Sequence, residues 1–262
     1  MKNPMMPSRY KVIKIIRETT AEHTFRVACD IKAEHGQFFQ LSIPKIGEAP
    51  ISVSGKGDGW LEFTIRKVGR LTEGVFGLNE GDTLFARGPY GNSYPMDSFK
   101  GQHLLVICGG TGLAAVHSML EYYHDNITEL KSLHLIAGFK DLNCVLFDDH
   151  LVRFRTSMNA IYTLDNGVAE GFEKGLVTAH INKIPLSKMY GCNAVIVGPP
   201  AMMHFAALEC VKQGIEEANM WLSFERKMYC AIGKCGHCKI NETYVCLEGP
   251  VFNYTKAKTL LD

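Results

Sequence analysis

The sequence has no surplus of charge of either sign. Its 28 lysines and arginines face 27 aspartates and glutamates, for a net charge of +1. No field is present to gather nucleic acid, acidic lipid or a polyanionic substrate. A long apolar run is missing as well. Nothing approaches the ~20 apolar residues that cross a bilayer, and the longest stretch, LLVICGGTGLAAV, is broken by glycines and reads as a buried strand entering a helix. The opening MKNPMMPSRY has no apolar segment of signal-peptide length. These absences predict a cytoplasmic protein with no nucleic-acid partner and no membrane insertion.

An even set of cysteines is also lacking. There are nine, and without a secretory signal an odd, scattered set argues against a disulfide framework. Five of them, Cys29, Cys108, Cys144, Cys192 and Cys210, stand among apolar neighbours and read as small core residues.

What is present lies near the end of the chain. In MYCAIGKCGHCKI, Cys230, Cys235 and Cys238 fall close together and Cys246 follows, giving C-x4-C-x2-C-x7-C. Structural zinc prefers two separated C-x2-C knuckles, whereas here only the second pair is a knuckle. The spacing matches the plant-type iron–sulfur pattern, whose loop wraps a group larger than one ion. Gly233 and Gly236 allow the sharp turns that aim backbone N–H groups at sulfur. A [2Fe–2S] cluster on Cys230, Cys235, Cys238 and Cys246 is the reading, zinc the alternative, and His237 a bystander. Such a centre carries one electron at a time.

With 262 residues, 46% of them hydrophobic, the chain can bury one large core or two to three small ones. From residue 101 to 223 short apolar runs, HLLVI, LHLIAG, NAIYTL and NAVIVG, alternate with segments of helical period, LAAVHSMLEYYHD and AMMHFAALECVKQG. This predicts a doubly wound α/β domain. Gly110, Gly112 and Ala115 fit G-x-G-x-x-A at a strand-to-helix turn, where backbone amides bind a pyrophosphate. The segment VGPPAMMHF makes a second such turn. The first hundred residues hold six short strands and no long helix, which predicts a small antiparallel barrel. WLEFTIR should point Leu61, Phe63 and Ile65 inward, and GRLTEGVFGL should open a short helix with Thr72 as its N-cap.

A barrel, a GGTG α/β domain and a terminal cysteine cluster together resemble the ferredoxin–NADP reductase superfamily. The fragments GQFFQLSIP, GEAPISVS, RKVGRLT, GPYGNSYP, GGTGLAAV, GPPAMM and ERKMYCAIGKCGHCKI carry the resemblance over nearly the whole chain. Within that superfamily the chain looks most like the B subunits of anaerobic sulfite reductase, through GEAPISVS and RKMYCAIGKCGHC. The resemblance implies a flavin-binding β-barrel over 1–100, an NAD-binding α/β domain over 101–223 and a [2Fe–2S] domain over 224–262. It implies FAD, NADH and the cluster as cofactors. It also implies a separate sulfite-reducing catalytic subunit as partner, and it allows an additional iron–sulfur subunit.

The family's flavin motif, R-x-Y-S, is here Ala49-Pro50-Ile51-Ser52. The serine carries over, as a supporting residue near the flavin N5; the arginine and the aromatic do not. Pro50, Ile51, Ser52 and Val53 are the candidates at the flavin. Arg66, Gly69, Arg70, Leu71 and Thr72 are the candidates to replace the missing phosphate contact. Gly109, Gly110, Thr111 and Gly112 would take the NADH pyrophosphate, with Gly198, Pro199 and Pro200 flanking the nicotinamide. A lone Lys140 in GFKD favours NADH over NADPH. NADH gives two electrons and the cluster accepts one, so a flavin between them solves the counting problem. Other partners of the same class are dihydroorotate dehydrogenase and a cytoplasmic hydrogenase. The dihydroorotate type keeps an arginine where Ala49 stands, which points away from pyrimidine synthesis. A zinc-bearing, non-enzymatic adaptor is the reading from a different class.

Overall fold

The computed structural model describes residues 3 and 5–260; residues 1, 2, 4, 261 and 262, and with them part of the MKNPMMPSRY segment, lie outside it. The chain forms two compact units. One is made of residues 1–93 and 224–250, the other of residues 94–223 and 251–262. The three functional segments expected from sequence, 1–100, 101–223 and 224–262, stand as a proposal laid over these two units.

In the first unit seven strands form one antiparallel sheet: β1 (Ser8–Arg17), β2 (Glu22–Ala28), β3 (Phe38–Ile43), β4 (Gly47–Ser52), β5 (Gly55–Gly57), β6 (Trp60–Arg66) and β7 (Thr83–Tyr90). Their order is β4-β3-β7-β1-β2-β6-β5. Just beyond β4, the Ser54 amide donates to the Glu62 carbonyl at 2.9 Å, which brings the two ends of the sheet together as a barrel. Val12, Phe25, Phe39, Leu41, Phe63 and Leu84 fill its interior.

Leu61, Phe63 and Ile65 of β6 point inward, each 2% exposed or less. The opposite face of that strand is covered too, and its polar residues are matched rather than solvated. Glu62 takes Arg26 at 2.8 Å, and the Thr64 hydroxyl meets those of Thr24 and Ser54, each at 2.8 Å.

Helix α1 (Arg70–Phe76) follows β6 and packs against β3 and β4. Thr72 is not its N-cap. Gly69 holds that place with extended backbone, and Thr72 reaches back from the third helical position. Its hydroxyl accepts from the Gly69 amide at 3.0 Å and from the Val68 amide at 2.9 Å. An orphan-donor role can be filled from either end of the first turn, so the sequence signal was displaced by three residues.

The second unit is a mostly parallel sheet. Its elements are α2 (Met96–Phe99), β8 (His103–Gly109), α3 (Gly112–Asp125), β9 (Ser132–Phe139), α4 (Asp148–Phe154), β10 (Asn159–Leu164), β11 (Glu173–Lys174), β12 (Asn193–Val197), α5 (Pro200–Lys212) and β13 (Met220–Ser223). The final strand β16 (Val251–Asn253) and helix α7 (Tyr254–Ala257) return to this unit, with β16 pairing antiparallel to β13. The strand order is β11-β10-β9-β8-β12-β13-β16. From β8 the chain therefore winds one way through β9 to β11, then crosses back to lay β12 on the other side of β8. That reversal makes the carboxyl ends of β8 and β12 the topological switch point, the place where open α/β sheets bind ligands.

Helix α3 is held there by apolar burial. Leu113, Val116, Met119, Leu120 and Tyr123 are all fully buried, and each large apolar side chain taken from water stabilises by about 1.5–3 kcal/mol. Between the two units' long segments, the cysteine-bearing stretch adds β14 (Lys239–Ile240), β15 (Thr243–Tyr244) and α6 (Val245–Glu248) to the first unit.

Candidate functional site

In the loop from Met228 to Cys246, alternating conformations aim amides at sulfur. Ala231, Gly233 and Gly236 adopt φ values of 58°, 70° and 77°, which makes a concave run of N–H groups, a shape suited to anions. The amides of Ile232, Lys234 and Cys235 point at the Cys230 Sγ, at 3.5, 3.3 and 3.4 Å, and the Gly233 amide points at the Cys246 Sγ at 3.3 Å. The left-handed φ of Gly233 is what reserves the position for glycine, since a methyl there would meet only the side chain of the exposed Leu247, which can move.

Cys230, Cys238 and Cys246 are buried while Cys235 is exposed. Backbone amides at Cys230 and His237 bring the Cys235 thiol down to about 7. Burial, with the Cys238 thiol alongside, pushes Cys246 up to about 12. A zinc ion with bonds of ~2.3 Å would draw all four sulfurs within about 3.8 Å of one another. Among the described residues, no three of these sulfurs gather within 4.8 Å. Amides directed at sulfur, with no three sulfurs close enough to share one ion, fit a two-iron cluster better than one tetrahedral ion. His237 is exposed and its ring meets Tyr229 edge-on at 4.2 Å.

Sequence reasoning missed Arg87. It ends the apolar run TLFAR of β7, is 4% exposed, and donates to the carbonyls of Cys230 at 2.7 Å and Tyr229 at 2.5 Å. It also donates to the Tyr90 hydroxyl at 3.0 Å. Its Nε lies 2.5 Å from a Glu48 carboxylate oxygen, as an ion pair rather than an aligned hydrogen bond. Gln40 of β3, fully buried, donates to the Met228 carbonyl at 3.1 Å. The barrel thus grips the cluster loop through two buried polar side chains, on the face of β3 and β7 that points away from its apolar interior. The available signal was a charged residue inside an otherwise apolar strand.

The flavin candidates occupy one region of the same unit. Pro50, Ile51 and Ser52 lie on β4, an edge strand paired only with β3, and are half-buried; Val53 is fully buried. Gly69, Arg70, Leu71 and Thr72 form the cap and first turn of α1, which packs beside β4. Arg66 is exposed and lies 3.3 Å from the Glu22 carboxylate, while Arg70 is exposed at the helix start. The edge-strand backbone, the half-buried apolar surface and these cations suit a flavin with its phosphates.

In the second unit the two glycine turns meet. Gly109 ends β8, Thr111 caps α3, and Gly112 is its first residue. Gly198 follows β12, Pro199 caps α5, and Pro200 begins it. A methyl on Gly112 would lie 2.7 Å from the Val197 carbonyl oxygen and 3.0 Å from the Gly198 Cα. Gly110, at φ 55°, has nothing within 4 Å of such a methyl. The two glycines therefore serve different ends: one lets a helix approach a strand, and the other leaves open space at a helix start.

Gly112→Ala is expected to destabilise the unit by about 2 kcal/mol or more through overpacking against backbone. Gly110→Ala should cost about 1 kcal/mol for its left-handed backbone yet raise the KM for NADH at least tenfold. Thermal melts set beside NADH kinetics separate the two effects.

Lys140 is exposed, while the Asp141 carboxylate accepts from the Asn143 amide at 2.9 Å. Among the described residues no helix is long and apolar enough to cross a membrane.

Comparison with known proteins agrees with this arrangement. Residues 225–258 match the iron–sulfur cluster binding domain of dihydroorotate dehydrogenase B, and residues 106–207 match the oxidoreductase NAD-binding domain. The chain is 33% identical to the sulfhydrogenase 2 subunit gamma of Pyrococcus furiosus, over 97% of each chain. It is 30% identical to a probable dihydroorotate dehydrogenase B (NAD(+)) electron transfer subunit of the same organism, over 91% of each. Among solved structures, that of an NADH-dependent reduced ferredoxin–NADP oxidoreductase superposes with a TM-score of 0.80 at 21% identity, over 94% of this chain and 88% of that one. The two domain matches are those of an oxidoreductase with an NAD-binding domain and an iron–sulfur domain, and the superposition shows the same fold. The chain belongs to the family of hydrogenase gamma and dihydroorotate dehydrogenase B electron-transfer subunits, the oxidoreductase subunits of NAD-dependent flavin and iron–sulfur complexes.

Proposed function

We propose that this chain oxidises NADH and delivers the electrons singly, through FAD and a [2Fe–2S] cluster, to a separate catalytic subunit of hydrogenase type. The observation that carries the choice of partner is the end-to-end identity of 33% with a sulfhydrogenase gamma subunit. A dihydroorotate-oxidising partner is the second reading, supported by the cluster-domain match and the relative at 30% identity. That relative removes the support for independence from pyrimidine synthesis. Ala49, where the dihydroorotate type keeps an arginine, still weighs toward the hydrogenase reading. The sulfite-reducing partner expected from GEAPISVS and RKMYCAIGKCGHC rests on those fragments, whereas the hydrogenase and dihydroorotate readings rest on relatives matched over nearly the whole chain.

When bound, FAD would take up a hydride and the cluster would pass electrons one at a time. The chain's own residues supply placement. Gly110, with open space at the start of α3, would admit a pyrophosphate to the backbone amides, while Gly112 lets that helix close on the end of β12. Ser52 would support the flavin ring, and Arg66, Arg70 and the first turn of α1 its phosphates. Cys230, Cys235, Cys238 and Cys246 would hold the iron, with Arg87 and Gln40 fixing their loop. NADH is favoured over NADPH because only the lone Lys140 stands beside the end of β9. An odd, scattered set of nine cysteines supports a reducing, cytoplasmic location.

The test couples purified, cofactor-loaded chain with each candidate partner encoded beside it, and follows NADH oxidation against three acceptor chemistries. Turnover linked to proton reduction is expected. Coupling found only with dihydroorotate/orotate, or only with sulfite, would replace the hydrogenase reading with one of the others.

A further inference from the structure

The second unit carries a cluster that neither the nucleotide site nor the cysteine loop uses. His117 and Glu121 sit one turn apart on α3, and His150 reaches them from α4. His117 is 2% exposed and is fixed by stacking on Phe147, with ring centroids 3.9 Å apart and planes at 15°. Phe147 in turn has the left-handed φ of 57° at the start of α4.

Three single atoms converge. His117 Nε2 is 3.0 Å from His150 Nδ1, which is 2.9 Å from Glu121 Oε1, and Glu121 Oε1 is 3.8 Å from His117 Nε2. Among the described residues this is the one group of three possible ligands whose donor atoms all lie within 4.8 Å of one another. Hydrogen bonding does not account for the triangle fully. A proton on His150 Nδ1 must be shared between the carboxylate and the other imidazole. With that proton placed on His117 Nε2 instead, the Nδ1 lone pair faces the carboxylate oxygen across 2.9 Å. A cation between the three satisfies every lone pair at once.

The size agrees. A circle through atoms spaced 3.0, 2.9 and 3.8 Å apart has a radius of about 1.9 Å, so an ion about 0.7 Å out of that plane lies 2.0–2.1 Å from all three. Those are the bond lengths of zinc to imidazole and carboxylate. Arg153 bonds the other Glu121 oxygen and so orients Oε1 toward the histidines, the kind of outer contact that fixes a ligand.

We propose that His117, Glu121 and His150 bind a divalent transition-metal ion, zinc by ligand type and bond length, which clamps α4 onto α3. Two imidazoles and one carboxylate suit zinc better than magnesium or calcium, which prefer oxygen alone. Glu121 and His150 are partly exposed, so the fourth position is open to water. The site is independent of the proposed redox function.

The test uses protein with its iron–sulfur cluster loaded, so that the four loop cysteines are occupied. Zn²⁺ and, separately, Co²⁺ are added and the unbound metal is dialysed away. Wild type should retain one zinc per chain, with iron content unchanged. His150→Ala should weaken binding at least a hundredfold and Glu121→Gln at least tenfold; both residues are partly exposed, so the variants should fold. The difference spectrum of the Co²⁺ form minus the same cluster-loaded protein without cobalt should show visible bands without added thiolate-to-cobalt absorption. Zinc retained equally by wild type and His150→Ala, no zinc retained by wild type, or a Co²⁺ spectrum of thiolate character would each overturn the proposal.

Discussion

Replacing Cys235 with serine should abolish delivery of electrons to the partner subunit while leaving NADH-driven dye reduction within about twofold of wild type. Cys235 is the mildest of the four cysteines to change, because it is exposed whereas Cys230, Cys238 and Cys246 are buried. Serine keeps its size and loses the thiolate, and a hydroxyl does not ionise near neutral pH as a thiol held at about 7 does. The barrel core and the glycine turns of the second unit contain none of these residues, so hydride uptake should survive. The expected loss is at least a hundredfold in partner-linked turnover, read beside unchanged dye reduction and an iron content well below that of wild type. Loss of both activities in a variant that melts like wild type would mean that electrons do not pass in the proposed order.

The second large effect is expected at Arg87. Its guanidinium is buried against one carboxylate, one phenol and two carbonyls of the cluster loop. Arg87→Met removes all of these donors and leaves Glu48 facing a desolvated strand. Breaking a buried pair typically costs 3–5 kcal/mol; because the Glu48 side chain is 29% exposed, about 2–3 kcal/mol is the better expectation. The charge itself should also matter. Adding an electron near Cys230 is easier beside a cation, so Arg87→Met should lower the cluster's midpoint potential, by on the order of 50 mV. Glu48→Gln keeps the guanidinium and removes the opposing charge, and should shift the potential the other way. Potentiometric titration of the two variants decides the matter, since a purely structural role would lower stability in both and move neither potential.

The readable and unreadable parts of this chain differ in sequence distance. β8, β9, β10 and β12 announced themselves as short apolar runs because a parallel sheet buried on both faces leaves no other pattern. The cysteine loop was legible because four ligands and two glycines lie within one short segment. Arg87 was not, because its partners at Tyr229 and Cys230 are more than 140 residues away and a carbonyl acceptor leaves no trace in side-chain identity. β13 and β16 were equally silent. MWLS and VFN are too short to show a period, and they become strands only by pairing with each other at the sheet edge. Thr72 was seen as a capping residue but placed at the wrong end of its turn, since a hydroxyl can reach the same amides from either position. The triad of His117, Glu121 and His150 was hidden because α4 had not been anticipated, so nothing brought His150 to α3.

The most direct measurement of the central claim is an anaerobic visible and electron paramagnetic resonance spectrum of the purified chain, taken with iron, sulfide and flavin counts before and after NADH. The account predicts two irons, two sulfides and one FAD per chain, flavin bleaching on NADH addition and a rhombic signal from the reduced cluster. Colourless protein with metal bound only as zinc at the four cysteines would contradict it.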